Sequence, residues 1–218
     1  MRKMGHWTPR YAVNRAKWWW YERNNMDRPW LTPESAEILA GLILPGDIGI
    51  EWGSGRSTVW FARRMKRLTS MEDNQEWYEK VKATLARERV ENADYHYAPP
   101  PGDGAVARDS DYVKIAESFA DSSVGFALVD GSAREYCAQA IIPKIAPGGV
   151  MVIDNANWYF DHPTHSPASR YRLGHLNADW TKVAEMLGGW RAIWTSSGVT
   201  DTAIWIRPGH AVNHGAGS

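Results

Sequence analysis

Four apolar runs of this chain end in an acid. Glu51 closes "DIGIE", Glu72 closes "RLTSME", Asp130 closes "VGFALVD" and Asp154, followed by Asn155, closes "GGVMVID". The first acid is followed by "WGSGRST", in which Gly53 and Gly55 bracket Ser54 and Ser57 stands just beyond. Glycine there permits a tight turn and lets a ligand lie against bare backbone. A helix starting after the loop would offer unpaired N–H groups to a carboxylate or phosphate. Glu51 beside such a loop repels a diphosphate and favours an ammonium or sulfonium. Glu72, with Asp73 next to it, is an acid able to accept both hydroxyls of a ribose. Together these residues ask for a ribose joined to a cationic group. Each glycine as a mere turn and Glu72 as a surface acid is the competing account.

Asp130, Asp154 and Asn155 form a second constellation. Two carboxylates and an amide oxygen are a hard-oxygen set suited to Mg²⁺ or another divalent ion. A strand-end Asp-Asn is equally a turn or a cap. The stretch "NWYFDHPTHSPASRYRLGH" after Asn155 is long for a loop in a compact domain, and such loops are usually functional or disordered. It carries Asp161, His162 and His165, with His162 a candidate general base because imidazole titrates in the useful range. Solvated loop histidines are the alternative. Arg170 and Arg172 suit an acidic substrate group or plain surface charge.

These residues need elements to hold them. Continuous apolar runs at 47–51, 67–72, 93–99, 124–131 and 148–154 read as buried strands. Helical patterns lie between them: "STVWFARRM", "NQEWYEKVKATLARERV" capped by Asn74, "DYVKIAESFA", and "REYCAQAIIPKIA" up to Pro143. "NADWTKVAEML" reads as a helix capped by Asn177, and "WRAIWTSSG" with "DTAIWIRP" as an antiparallel hairpin. Strand–helix alternation with unbroken apolar strands predicts an α/β fold: a Rossmann-like doubly wound sheet, mostly parallel, with an antiparallel C-terminal hairpin strand. Ligands of such sheets sit beyond the carboxyl ends of the strands. The organisation expected is an N-terminal helical, aromatic segment over residues 1–30 acting as lid or partner surface, one domain over 31–208, and a flexible tail over 209–218.

An adenosine ribose on a cationic amino acid describes S-adenosylmethionine. "IEWGSGRST", "LTSMED", "FALVDG" and "GGVMVIDN", in that order, resemble the successive motifs of class I S-adenosylmethionine-dependent methyltransferases. The resemblance covers residues 31 to 207. It implies that Glu51, Gly53, Ser54 and Gly55 line the methionine moiety and that Ser57, standing where a third glycine is common, adds a hydroxyl contact. It further implies that Glu72 holds the ribose while Asp73, Tyr97 and Ala98 approach the adenine, with Asp130 nearby. The Asp130, Asp154, Asn155 pattern is similar to divalent-metal-dependent O-methyltransferases, in which those positions chelate a metal. Those families place a lysine where this chain has Ala133, with Arg134 next. Arginine is no base at ordinary pH. The "VDGSAR" stretch also resembles bacterial small-molecule methyltransferases, and that resemblance implies that the Asp positions cofactor and the Arg pairs with a carboxylate.

Bulk properties narrow the class. The 218 residues carry 25 Lys plus Arg against 25 Asp plus Glu, a formal charge of zero that disfavours a nucleic-acid partner. A single cysteine, Cys137, argues against a disulfide framework and reads as buried packing. No window approaches a membrane span and "MRKMGHWTPRYAV" lacks the apolar core of a signal peptide, so a cytoplasmic protein is expected. Thirteen tryptophans offer either packing or a binding face. The expectation is an S-adenosylmethionine-dependent methyltransferase acting on a small molecule at a hydroxyl oxygen, with Asp154 and His162 as catalytic candidates and self-association through the N-terminal aromatics. The alternatives are an NAD(P)-dependent oxidoreductase on the same sheet and a catalytically silent S-adenosylmethionine-binding scaffold.

Overall fold

A computed structural model describes residues 8–209. Its elements in chain order are α1 (Pro9–Asn24), α2 (Pro33–Leu42), β1 (Ile48–Trp52), α3 (Arg56–Ala62), β2 (Arg67–Glu72), α4 (Gln75–Arg87) and β3 (Ala93–Tyr97). There follow α5 (Gly104–Arg108), α6 (Asp111–Lys114), β4 (Val124–Val129), α7 (Arg134–Ile141), β5 (Ile145–Asp154), α8 (Ala178–Met186), β6 (Arg191–Ser196) and β7 (Asp201–Ile206). The strands form one sheet in the order β3-β2-β1-β4-β5-β7-β6. The first five are parallel, and β7 runs antiparallel to both β5 and β6. The doubly wound sheet with an antiparallel C-terminal hairpin strand is therefore the observed fold.

Period-two alternation sorts the side chains onto two faces. Leu68, Phe126, Leu128, Val150, Val152 and Ile204 pack with Leu39 of α2 and Trp60 and Phe61 of α3. Ile50, Trp52, Ala127, Val129, Met151 and Ile153 pack with Tyr112, Cys137, Ile141 and Trp180 on the other face. Phe61 meets Phe126 with ring centroids 4.4 Å apart, which keys α3 onto β4. Cys137 is fully buried, as expected of a small apolar residue.

Helix ends follow the local chemistry. Asn74 accepts from Trp77 N and Asn177 from Trp180 N, so both expected caps are in place. The 134–141 helix stops one residue before a short 3₁₀ turn carrying Pro143, because proline cannot donate within the helix. Two elements go beyond the sequence reading. The helix α2 starts on Pro33 with Glu34 in its first turn, and α5 forms at the end of the "PPPGDG" stretch. β5 begins at Ile145, three residues early, where a register irregularity sits opposite β4.

The N-terminal segment lies across the carboxyl edge of the sheet. Asn14 of α1 presses on Gly198 in the β6–β7 turn, and the carbonyl of Glu22 accepts from Arg56 Nη1 at the start of α3. Trp18 is buried beneath α1 while Trp19 and Trp20 face out. The tail expected over 209–218 lies, apart from Gly209, outside the described residues.

Candidate active site

The loop after β1 is shaped by close backbone contact. Gly53 adopts φ +89°, and a Cβ there would come within 2.8 Å of the Asp130 carbonyl carbon and of Gly131 N. A Cβ on Gly131 would stand 1.9 Å from Tyr112 Oη. The loops after β1 and β4 therefore touch backbone to backbone. A Cβ on Gly55 would meet only Trp77, 4.0 Å away, so the outer side of the loop is open.

Strand register brings the acids together. Glu51 pairs with Ser70 and with Leu128, and Leu128 pairs with Val152. Two residues further along each strand stand Glu72, Asp130 and Asp154, so all four acids lie on the α2–α3 face at the carboxyl edge.

Glu51 is fully buried beneath the glycine loop rather than projecting past it. Its Oε1 accepts from Ser70 Oγ at 2.8 Å, and its Oε2 has no hydrogen-bond partner among the described residues. Burial pushes its carboxyl up to about 7, against the opposing pull of the nearby Thr58, Ser70 and Ser57 hydroxyls. Ser57 is thus turned toward Glu51, under the loop. Glu72 is nearly buried and fully engaged. Its Oε2 accepts from Ser54 N (3.1 Å) and Ser54 Oγ (2.7 Å), and its Oε1 from Asp73 N (3.2 Å) and Asn74 N (2.9 Å). A diol reaching Glu72 must displace Ser54.

These residues fit the cofactor implied by the sequence. An unpartnered buried carboxylate oxygen, a side-chain-free loop and an acid one strand over, which the Ser54 hydroxyl already occupies as a hydroxyl donor, are what a cationic amino acid joined to a ribose requires.

The second constellation differs from the expectation. The Arg134 guanidinium sits among the residues read as metal ligands. Nε donates to Gly131 O (2.8 Å), Nη1 to Asp154 O (2.8 Å) and Asn155 Oδ1 (3.1 Å), and Nη2 to Asp130 O (2.7 Å). Nη2 also forms an ion pair with Asp130 Oδ1 at 3.0 Å. Asn155 Nδ2 donates to Thr200 Oγ1, and Asp154 Oδ1 accepts from Thr202 Oγ1 at 2.6 Å. With the oxygens of Asp130 and Asn155 committed to an organic cation, the set does not fit a divalent ion. No group of three or more His, Cys, Asp or Glu side chains placed for a metal occurs among the described residues. Burial, with Asp130 close by, pushes the Asp154 carboxyl up to about 8. Burial raises Asp130 too, opposed by Arg134.

His162 is not brought to these acids. Its ring stacks on Trp194 at 3.9 Å. Trp194 pairs with Ala203, which pairs with Ile153, so this contact lies on the face opposite Asp154. Burial lowers the His162 pKa, and its Nδ1 lacks a partner among the described residues. The whole 156–175 loop is tied to that side. Ser166 Oγ donates to the buried Asp201 Oδ1 (2.5 Å), Trp194 Nε1 to Asp201 Oδ2 (2.9 Å), and Asp201 N to Asn157 Oδ1 (3.1 Å). Asp161 accepts from Arg172 N and Gly174 N, and Arg170 donates to the carbonyls of Gly174 and His175. These residues brace the loop itself. His165 is exposed.

Two aromatics escaped the sequence reading. Trp77 Nε1 donates to Ser54 O (2.8 Å), and Tyr95 Oη shares a 2.7 Å hydrogen bond with Ser54 Oγ. Tyr95 stacks on Tyr78 with centroids 4.6 Å apart. The available signal was periodic: Tyr95 occupies the same face as Ser70, to which it pairs. Tyr97 is exposed and Ala98 buried at the end of β3.

Comparison with known proteins agrees with this geometry. Residues 50–156 match the family model described as a methyltransferase domain. A methyltransferase-like protein from Silicibacter pomeroyi shares 26% identity, with 84% of this chain and 90% of that chain covered and a TM-score of 0.54. The O-methyltransferase from Bacillus cereus, solved with S-adenosylhomocysteine, shares 15% identity over 81% of this chain and 82% of its own, at a TM-score of 0.56. An rRNA methylase from Streptococcus thermophilus shares 11% identity over 80% of this chain and 95% of its own, at 0.55. No curated protein sequence matches the chain. No helix among the described residues is long and apolar enough to cross a membrane. The family match over the strands that carry the four acids identifies residues 50–156 as a methyltransferase domain, and the sheet around it has the strand order of the class I S-adenosylmethionine-dependent methyltransferase fold.

Proposed function

We propose that the enzyme methylates a hydroxyl oxygen of a small molecule. The observation carrying this reading is the pair of cradles on one sheet face: Glu51, Gly53, Ser54, Gly55 and Glu72 on one side, Asp154 two strands away on the other. S-adenosylmethionine, when bound, supplies an electrophilic methyl on a sulfonium. Glu51 and the loop would hold the amino-acid end, Glu72 the ribose, and Asp73 would border the adenine. Asp154 in its ionised form, which gains population as pH rises toward about 8, would take the hydroxyl proton, and burial makes that form a stronger base than an ordinary carboxylate. Asp130, held by Arg134, would support the cofactor side of the site. The α1 helix across the edge would exclude water and position the acceptor, which supplies much of the rate in transfer reactions.

A small acceptor is favoured by the zero formal charge and by α1 closing the edge. The O-methyltransferase among the similar structures supports the oxygen target by analogy of fold. Self-association through the exposed Trp19 and Trp20 is part of the same proposal. The test is calorimetric titration with S-adenosylhomocysteine and with NAD, followed by transfer of labelled methyl to a panel of hydroxylated small molecules. Binding of S-adenosylhomocysteine alone with label on oxygen is the expected result. Label on nitrogen or carbon only would refute the oxygen assignment, and tight binding with no transfer to any acceptor would favour a silent scaffold.

A further inference from the structure

We infer that Arg134 is the resident cation of this active site, replacing a divalent metal ion. The inference rests on the methyltransferase reading for its location but on the guanidinium's own contacts for its content. Five oxygens meet the group: the carbonyls of Asp130, Gly131 and Asp154, the Asn155 amide oxygen, and Asp130 Oδ1. A hard divalent ion takes the same kinds of donor, carboxylate, amide and backbone carbonyl. The guanidinium presents five N–H groups in a fixed fork, and four hydrogen bonds and one ion pair account for them. Its side chain retains only 13% of its exposure, so it has no donor to spare for a substrate anion.

The backbone is arranged for this placement. Ala133 holds φ +45° and Asn155 φ +51°, both in the left-handed region. Non-glycine residues there persist only where surrounding contacts fix them. The turn at Ala133 starts α7 so that Arg134 folds back over the ends of β4 and β5, and the turn at Asn155 presents its amide oxygen to Nη1. Arg134 is thus a positioning residue. It locks the two strand ends that carry Asp130 and Asp154, and it supplies their compensating positive charge without an exchangeable ion.

The experiment is Mn²⁺ titration followed by electron paramagnetic resonance, on the full chain with S-adenosylhomocysteine bound. The wild type is expected to bind no stoichiometric Mn²⁺, and its S-adenosylhomocysteine affinity to be the same in chelator as in excess Mg²⁺. Arg134→Ala, checked for folding by circular dichroism, is expected to gain one Mn²⁺ per chain, and Arg134→Ala with Asp154→Asn to lose it. Stoichiometric Mn²⁺ on the wild type that disappears in Asp154→Asn would overturn the inference, and so would a folded Arg134→Ala that binds none. The wild-type titration decides the matter even if the variant unfolds. Because S-adenosylhomocysteine binding is read separately, loss of the cofactor assignment would be distinguishable from loss of the metal-free one.

Discussion

At the scale of single residues, the site depends on where each carboxylate spends its hydrogen-bonding capacity. Glu72 takes four contacts from its own chain, two of them from Ser54. A ribose diol would replace the Ser54 pair with charge-assisted hydrogen bonds. Glu72→Ala should therefore weaken S-adenosylhomocysteine binding by about 1–3 kcal/mol by calorimetry. Unchanged affinity would remove Glu72 from the ribose. Asp154 has a different task. Asp154→Asn should lower kcat by about 10²–10⁴-fold, the usual worth of a positioned base, while leaving cofactor affinity intact. A variant with wild-type kcat would show that another group takes the proton. His162→Ala is expected to retain wild-type kcat, because the ring is stacked against Trp194 on the opposite face of the sheet.

At the scale of elements, the two loops that form the edge are interlocked through glycine. Gly131 faces the Tyr112 hydroxyl, and Trp52 Nε1 donates to the Tyr112 carbonyl at 2.7 Å. Gly131→Ala must push the Tyr112 side chain or the Gly53 backbone aside, and neither has room in a buried cluster. It should give a protein with lost or sharply reduced thermal stability by circular dichroism. A variant melting with the wild type would mean that the two loops can separate freely. How the elements follow from sequence is clear in most cases. Apolar strands, the two asparagine caps and the Pro143 stop depend on local chemistry, so each was legible. The α2 helix was not, because its buried side is only Ser35, Ala36 and Leu39, too weak an apolar stripe to announce a helix. The loop 156–175 was legible as functional or disordered but not as a brace. Its anchor, Asp201, is thirty-five positions from Ser166 along the chain.

At the scale of the whole molecule, the buried acids make stability depend on pH. Glu51 is raised from 4.5 to about 7 and Asp154 from 3.8 to about 8. Between the ordinary and the raised values the folded state binds more protons than the unfolded one. Stability then falls as pH rises through that window and levels off once both groups are ionised in the folded state. The exposed pairs, such as Glu76 with Lys80, act in the opposite sense but are weak. The melting temperature should decline between about pH 5 and 8, and Asp154→Asn should flatten the decline. A melting temperature that climbs across this range would contradict the burial of these acids as neutral groups.

The sequence by itself determined the strands, their order of appearance, the glycine loop and the acids that end four of the strands, because periodicity and turn chemistry act over a few residues. Only the tertiary structure decided that Glu51, Glu72, Asp130 and Asp154 share one face while His162 sits on the other. Facing is set by inter-strand register, and a one-residue slip would have reversed it. It likewise decided that the guanidinium of Arg134 is spent among the oxygens read as metal ligands. The oxygens that accept from that cation come from two strand ends, at Asp130 and Asp154, and no local pattern states that they converge.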